Sequence, residues 1–255
     1  MTISHEIFGQ GSHNVIVLHD WSQDRTIYQP IHRYLARNDF TFAFADARGY
    51  GESKDQTGSF SAAEVVSDVA ALADSLGWSK FSLIGHSMTG MVAQRAMVDI
   101  PDRLLSVVAT TPVPASGLAL DDDTFNFFVS MASDDEAFKQ GMHALTSARY
   151  ADGWTGFKLR RNRATVATEA MVAYAQMWAK TDFSNEVKGL TTPILVVFGA
   201  HDNELLTQAT LAPVFEGWYP NLETHVCPSG HYPMQETPVE YAHVVQKYLA
   251  ATAAA

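Results

Sequence analysis

Short continuous apolar runs recur along the chain, and segments with helical periodicity separate them. A continuous apolar run is typical of a strand that is buried on both faces. Alternation of such strands with helices predicts a parallel sheet covered on both sides. The chain is therefore expected to form an α/β fold with a mostly parallel sheet flanked by helices. The predicted strands are 14–18, 40–45, 81–84, 105–109, 194–198 and 224–227.

One long stretch interrupts this alternation. Residues 115–189 contain no good strand pattern, only helix-like segments rich in Phe, Met, Tyr and Trp. Loops of that length without secondary structure are uncommon in compact domains, so the stretch is typical of a helical cap. The sequence therefore predicts a core domain of residues 1–114 and 190–255, with a helical cap inserted at residues 115–189.

Charge and cysteine content narrow the classes of partner. The formal net charge is −11, so the surface field disfavours nucleic acid and anionic membranes. No apolar run approaches the roughly 18 residues that a membrane span needs, and the N-terminus lacks a secretory-signal pattern. The single cysteine, Cys227, excludes an internal disulfide and suits a reducing compartment. We expect a cytoplasmic protein with a small-molecule substrate and no nucleic-acid or membrane partner; a homodimer stays open.

Residues 85–90 (Gly-His-Ser-Met-Thr-Gly) lie between a predicted buried strand and a helix-like run. A serine at such a turn is held on strained backbone with its hydroxyl exposed, beside the free amides of the helix start. Here the sequence resembles the α/β-hydrolase superfamily, whose nucleophile elbow is Gly-x-Ser-x-Gly, over essentially the whole chain. The resemblance implies the α/β-hydrolase fold and a nucleophile at Ser87. Thr89 replaces the second glycine, so we expect a more open or differently packed elbow.

In this superfamily the nucleophile, the acid and the histidine follow one another along the chain. The resemblance implies a base at His231, in a Ser-Gly-His-Tyr-Pro loop after the last predicted strand. It implies the acid at Asp202, just past the carboxyl end of the preceding strand. A buried carboxylate there would hold the imidazole in one tautomer and stabilise its cation. Glu204 is the alternative acid.

Acyl transfer also needs two backbone amides aimed at the developing oxyanion. The resemblance implies the amide of Met88, after the nucleophile, and the amide of Trp21, in the loop after the first buried strand. Asp20 stands where the family usually has glycine. Three roles are open for its carboxylate: to line the substrate pocket, to repel anionic substrates, or to bond loop amides in an Asx turn, which is favoured.

The aromatic and methionine side chains of residues 115–189 predict an apolar, enclosed pocket over Ser87. Trp154, Tyr174 and Trp178 are candidate substrate contacts, together with Asp20. Aromatic stripes of this kind are more often internal packing of a cap than ligand contacts. Both interpretations of these side chains stay open.

Two charged segments lie outside the predicted catalytic set. Residues 46–53 match the family's Asp-x-Arg-Gly-x-Gly-x-Ser turn, in which we expect Asp46 and Arg48 to brace the loops beneath the site. A basic cluster in the predicted cap is by default a solvated face, with a carboxylate clamp as the alternative. The cluster consists of Lys158, Arg160, Arg161 and Arg163.

The leading hypothesis is hydrolysis of a carboxylic ester or lactone of a small, largely apolar substrate through an acyl-enzyme on Ser87. No side chains have ordinary metal-ligand spacing, so neither a metal nor a cofactor is expected. Haloalkane dehalogenases and most epoxide hydrolases of the superfamily use an aspartate nucleophile, and Ser87 argues against both. Carbon–carbon bond hydrolysis, perhydrolysis, hydroxynitrile cleavage and cofactor-free oxygenation stay open because the fold hosts them all. A ligand receptor with weak hydrolysis also stays open.

Overall fold

A seven-stranded sheet forms the centre of the molecule, for which the computed structural model describes residues 2–253. The strands are His5–Gly9 (β1), His13–Leu18 (β2), Phe40–Ala45 (β3), Phe81–His86 (β4), Leu104–Thr110 (β5), Ile194–Gly199 (β6) and Leu222–Cys227 (β7). Their spatial order is β1-β3-β2-β4-β5-β6-β7. β1 pairs with β3 in antiparallel orientation, and the other pairings are parallel. The mostly parallel sheet expected from the sequence is confirmed.

Helices flank this sheet, as the α/β-hydrolase fold requires. Their bounds are Ala62–Ser75 (α1), Met88–Asp99 (α2), Asp122–Ser130 (α3), Asp135–Ala144 (α4), Asp152–Thr165 (α5), Thr168–Lys180 (α6), Ser184–Val187 (α7), Gln208–Glu216 (α8), Pro233–Glu236 (α9) and Pro238–Ala253 (α10). α1 and α2 pack together, with α2 on β4 and β5, while α10 packs against β5, β7 and a 3-10 helix at Arg25–Tyr34. No helix within residues 2–253 is long and apolar enough to cross a membrane.

The first long helix begins where its sequence provides a cap. The Ser61 side chain accepts a hydrogen bond from the Glu64 amide at 3.2 Å, and the Glu64 carboxylate accepts one from the Phe60 amide at 2.8 Å. Both bonds satisfy amides that would otherwise lack an intrahelical partner. Gly77, with φ of 72°, follows the end of the helix in the left-handed region. α1 is thus fixed at both ends by local sequence.

The carboxyl ends of the parallel strands gather the predicted catalytic residues at one edge. β4 and β6 are buried along their whole length, so their side chains build the core. Ser87 directly follows β4, Asp202 follows β6, and His231 follows β7. Groups at this edge of a parallel sheet are well placed to meet a ligand.

The turn at residues 46–53 braces this edge from below. The Asp46 carboxylate accepts hydrogen bonds from the backbone amides of Arg25 and Glu52, each at 2.9 Å. Arg48 donates two parallel bonds to Asp68 of α1, at 2.6 and 2.7 Å, and this bidentate geometry gives strong, specific pairing. The contacts of Asp46 and Arg48 are therefore architectural.

Between β5 and β6 the described chain forms α3 to α7 and no strand. We call residues 115–189 the helical insertion. Val166, just after α5, forms an isolated antiparallel bridge with Tyr50 of the turn after β3. A Cβ on Gly49 would lie 2.1 Å from the Cβ of Ala170 in α6, so glycine permits this close approach. The insertion is thus packed directly on the loops at the site edge.

Candidate active site

Ser87 lies on the tight turn between β4 and α2, with φ of 56° and ψ of −114°. A positive φ is uncommon for a residue other than glycine and stores strain that often marks a functional site. The turn leaves no room for larger neighbours. A Cβ on Gly85 would lie 2.1 Å from the Thr89 carbonyl oxygen, and one on Gly90 would lie 2.6 Å from the Pro112 Cβ. This backbone holds the Ser87 side chain at the N-terminus of α2.

Thr89, which replaces the second glycine of the elbow pattern, is fully buried. Its Oγ1 accepts a hydrogen bond from the His86 amide at 2.9 Å. The same hydroxyl lies 2.7 Å from the carbonyl oxygen of His19 and 3.2 Å from that of Leu18, and can donate to either. The elbow is therefore packed differently from a glycine elbow, because Thr89 joins it to the loop after β2.

Replacing Thr89 by valine is expected to lower the free energy of unfolding by about 1–3 kcal/mol. Valine keeps the shape of the side chain but leaves the buried His86 amide and His19 carbonyl without their partner. Denaturant unfolding followed by fluorescence measures the change. Thr89→Ser, which keeps the hydroxyl, is the matched control and should cost less; equal losses for both variants would assign the effect to packing alone.

His231 and Asp202 form a buried pair. Nδ1 of His231 lies 2.8 Å from Oδ2 of Asp202, whose other oxygen accepts a hydrogen bond from the Asn203 amide at 2.7 Å. Burial works to lower the pKa of His231, but the charge and hydrogen bond of Asp202 outweigh it and raise that pKa above its usual value. Glu204, the alternative acid, is exposed. The carboxylate that the fold brings to His231 is therefore that of Asp202.

The backbone of His231 is anchored by three parts of the molecule. Its amide donates to the Leu145 carbonyl oxygen of the helical insertion at 2.9 Å. Its carbonyl oxygen accepts from Nε2 of His86 at 2.7 Å and from the Thr111 hydroxyl at 3.1 Å. Burial lowers the pKa of His86 to about 3, so this ring is neutral near neutral pH and donates its single N–H. His86 thus positions His231.

Ser87 and His231 line the same cavity. Nδ1 of His231 bonds Asp202, and among the described residues no hydrogen bond joins Nε2 of His231 to the Ser87 hydroxyl. Catalytic hydrogen bonds are often long in unliganded enzymes and tighten when substrate binds. The structure therefore brings the predicted nucleophile and base to one cavity without a direct bond between them.

The predicted oxyanion-hole amides belong to Trp21 and Met88. Within the part of the chain that the structure describes, neither amide donates to a protein acceptor; Met88 is the first residue of α2. Two hydrogen bonds hold Trp21 in its loop. The Trp21 carbonyl oxygen accepts from the Tyr50 hydroxyl, and the Trp21 indole donates to the Met171 carbonyl oxygen, each at 2.7 Å. The two amides that the α/β-hydrolase pattern assigns to an oxyanion hole are thus free to bind a ligand oxygen.

Asp20 is buried at 2% exposure and does not line the cavity. Its Oδ2 accepts hydrogen bonds from the Ser22 amide at 3.2 Å, the Ser22 hydroxyl at 2.6 Å and the Tyr232 hydroxyl at 3.2 Å. Of the three roles left open by the sequence, the bond to a loop amide is therefore the one present. The carboxylate braces the loop next to Trp21.

The cavity is small and mostly apolar. The space inside it that a water-sized sphere can reach is about 40 Å³. Trp178, one of the candidate substrate contacts, lines it and packs edge-to-face on Trp21 at 5.6 Å between ring centroids. The lining residues are Trp21, Ser87, Val113, Leu118, Phe128, Leu145, Trp178, Asn203, Leu205, Leu206 and His231.

The other three candidate contacts do not line this cavity. Asp20 bonds its own loop, as described above. The Trp154 ring packs edge-to-face on Tyr232 at 5.5 Å, and Tyr174 packs against Tyr50 at 5.8 Å. These side chains join the helical insertion to the core, so the pattern that suggested substrate contacts reflects internal packing.

Residues 203–206 contribute to the cavity although they were not predicted to do so from the sequence. Asn203, Leu205 and Leu206 lie in the segment that follows Asp202, and all three line the cavity. Their position just after the carboxyl end of a buried strand was the available signal, since ligand groups gather there. The apolar character of Leu205 and Leu206 alone would not have distinguished these two residues from core residues.

The basic cluster of the insertion is only in part a solvated face, since Arg160 is exposed and the other three residues are buried or paired. Lys158 is fully buried. Arg161 pairs with Asp24 at 2.6 Å, and Arg163 pairs with Asp135 at 3.0 Å. The expectation of a solvated face was wrong for Lys158 because α5 docks on the loop after β2. The two arginines are occupied by carboxylates of the protein itself.

A group of potential metal ligands lies away from this cavity. Ligand atoms of His225, Cys227 and Glu240 lie within 4.8 Å of one another. Nε2 of His225 is 3.0 Å from the Glu240 carboxylate, so these two side chains already satisfy each other. Burial raises the pKa of the Cys227 thiol to about 12, which keeps it protonated. We therefore assign this group no role at the candidate site.

Comparison with known proteins places the chain among hydrolases. The sequence profile of the Alpha/beta hydrolase family matches residues 15–244. Pimeloyl-[acyl-carrier protein] methyl ester esterase of Aeromonas salmonicida is 24% identical, over 98% of this chain and 100% of the esterase. Fluoroacetate dehalogenase of a Burkholderia species is 30% identical over 49% of this chain, and the match spans only 42% of the dehalogenase.

Solved structures share the architecture. Bromoperoxidase from Bacillus anthracis superimposes with a TM-score of 0.86 at 18% identity, covering 96% of this chain and 94% of the other. The enol-lactonase from Burkholderia xenovorans LB400 gives a TM-score of 0.83 at 17% identity, with 97% and 96% covered. Identities this low establish the fold alone. Taken with the profile match over residues 15–244, they place the chain in the alpha/beta hydrolase family.

Proposed function

We propose that the protein is a serine hydrolase that cleaves a carboxylic ester or lactone of a small, largely apolar substrate. One observation carries the proposal: Ser87, on a strained strand-to-helix turn, shares an apolar cavity with His231, whose Nδ1 bonds Asp202. Family membership and the likeness to an esterase and a lactonase support hydrolysis as the reaction.

In the proposed acylation step, Oγ of Ser87 attacks the substrate carbonyl carbon while Nε2 of His231 takes the hydroxyl proton. Asp202 stabilises the imidazolium that results, and the amides of Trp21 and Met88 bind the oxyanion. The tetrahedral intermediate then collapses, and His231 gives its proton to the leaving alcohol. In deacylation the same imidazole takes a proton from a water that attacks the acyl carbon, and it gives that proton to Oγ of Ser87 as the acyl–oxygen bond breaks and the acid leaves.

The cavity lining supports a neutral, apolar substrate. Eight of its eleven residues carry aliphatic or aromatic side chains, and among the described residues that line it none is Lys, Arg, Asp or Glu. Binding an anionic group there would leave its charge unpaired in a poorly solvated site, which is costly. We therefore expect esters with short apolar acyl groups, or lactones of similar size, to bind better than anionic analogues.

We propose that the helical insertion serves as a cap over Ser87. Leu118, Phe128, Leu145 and Trp178 of the insertion line the cavity together with Val113 of the core. A cap of this kind excludes water from the reacting carbonyl and strengthens the electrostatic contacts there.

The residue at the nucleophile position argues against dehalogenation. Dehalogenation through an ester intermediate would need a carboxylate at the position of Ser87.

Covalent labelling tests the proposed function. A fluorophosphonate should modify the folded protein at one site, and peptide mass spectrometry should place the adduct on Ser87. A short-chain p-nitrophenyl ester should then release a burst of p-nitrophenol of about one equivalent, as an acyl-enzyme mechanism requires. Guanidine-unfolded protein is the control for nonspecific reaction. An adduct on any other residue, or no adduct and no release, would overturn the assignment.

A further inference from the structure

Lys158 of α5 is a buried lysine whose ammonium or amine group has no hydrogen-bond partner among the described residues. Its side chain is fully buried, and within residues 2–253 its Nζ has no bonded partner. Nζ lies 3.4 Å from the centroid of the Tyr232 ring and 5.1 Å from that of Trp154. Burial lowers the pKa of this lysine to about 7, because a buried ammonium is costly unless other groups compensate and ring faces return only part of that cost. A nearby carboxylate would therefore favour the charged form of Lys158.

That carboxylate belongs to Asp20. Its Oδ1 is buried and has no bonded partner among the described residues, while its Oδ2 accepts from the hydroxyls of Ser22 and Tyr232. Tyr232 therefore connects the two charges, because its hydroxyl bonds the carboxylate and its ring face carries the ammonium. Burial alone would raise the pKa of Asp20, but the nearby positive charge of Lys158 and the hydrogen bond from Ser22 act against it, and that pKa is lowered.

The other carboxylates that face Lys158 already have partners. Asp24 pairs with Arg161. Glu236 accepts hydrogen bonds from the amides of Gly230 at 2.7 Å and Tyr232 at 2.9 Å. Asp20 is thus the carboxylate near Lys158 with a buried oxygen that no described residue satisfies.

The same helix holds the loop after β2 through its backbone and neighbouring side chains. The Gln23 amide group donates to the Lys158 carbonyl oxygen at 2.9 Å. The Asn162 amide group donates to the Ser22 carbonyl oxygen at 2.8 Å. Since Asp20 directly precedes Trp21, every contact that fixes this carboxylate also restricts the amide that follows it.

We propose that Lys158 is a positioning residue for the reaction proposed above, which holds the Asp20 carboxylate in place through Tyr232 and so fixes the Trp21 amide at the oxyanion hole. This inference rests on the proposed function. The ammonium favours the carboxylate form of Asp20, and that form binds Ser22 and Tyr232 at once. The residue after Asp20 then presents its amide without reorganisation when the oxyanion forms.

A double-mutant cycle between Lys158 and Asp20 tests the inference. Lys158→Met should lower kcat for a p-nitrophenyl ester by roughly 10- to 100-fold with KM changed by less than about 3-fold, because an oxyanion contact acts in the transition state. Asp20→Asn should also lower kcat. The double variant should be less impaired than either single variant, since it leaves no unpaired buried charge.

Controls separate this result from loss of fold or failure of the proposed function. Lys180→Met is the matched control: Lys180 is exposed and lies over the Phe125 ring at 4.2 Å, and its replacement should leave kcat unchanged. Circular dichroism checks that each variant folds. With an active wild type, additive effects on log kcat, or effects confined to KM or Tm, overturn the inference alone. A wild type without turnover or Ser87 adduct overturns the proposed function, and this inference falls with it.

Discussion

Replacing Ser87 by alanine is expected to lower kcat for a p-nitrophenyl ester by roughly 10⁶-fold. The variant loses the oxygen that forms the acyl-enzyme, and no other hydroxyl is offered to His231 on the strained turn between β4 and α2. Binding and the oxyanion amides would still give some acceleration over water. KM should change little, because the cavity walls stay in place.

The measurement needs a control for contaminating esterase. Ser133→Ala, which changes an exposed serine of the helical insertion, should keep wild-type activity after the same purification. The burst of p-nitrophenol should also vanish in Ser87→Ala. If that variant keeps more than roughly 1% of the wild-type kcat, Ser87 is not the nucleophile, because loss of a nucleophile costs far more than that.

The central sheet was predictable because its strands carry their own signal. The run 40–45 coincides with β3, and the run 81–84 falls within β4. β1 was missed for a physical reason. It lies at the edge of the sheet, pairs only with β3, and is half exposed, so it needs no continuous apolar run. Edge strands of this kind resemble loops in sequence.

The candidate triad was predictable because each member sits at the end of a recognisable strand in a local motif. The walls of the cavity were not, since Val113, Trp178 and Leu205 come from segments far apart in the chain. Their proximity depends on how the helical insertion docks, and that docking has no local signature.

The burial of Lys158 also depends on how the helical insertion docks, so it could not be predicted from local sequence. Its helix carries several charged residues, and a lysine on such a helix is normally solvated. The contact between Gln23 and Lys158 joins residues 135 positions apart. Only tertiary packing could therefore distinguish Lys158 from the exposed Arg160 two positions later.

Replacing Asp202 by asparagine is expected to lower kcat by roughly 10⁴-fold while leaving the fold intact. Asparagine has nearly the same shape but no charge, so it cannot stabilise the imidazolium of His231 and can favour the wrong tautomer. Steady-state hydrolysis of a p-nitrophenyl ester measures the loss. Glu204→Gln is the matched control, because Glu204 lies two residues away and is exposed. It should keep wild-type activity, and the reverse pattern would make Glu204 the acid.

The pH dependence of the same two proteins gives an independent result. His231 must be neutral to accept the Ser87 proton, and Asp202 raises the pKa of His231 above its usual value. Wild-type kcat/KM should therefore fall as the pH decreases through a pKa above about 6.5. Without the Asp202 charge, burial is left to lower that pKa, so the acidic limb of Asp202→Asn should move to lower pH. His86 cannot produce this limb, because its pKa is about 3. An unshifted limb in Asp202→Asn would mean that the titrating group is not paired with Asp202.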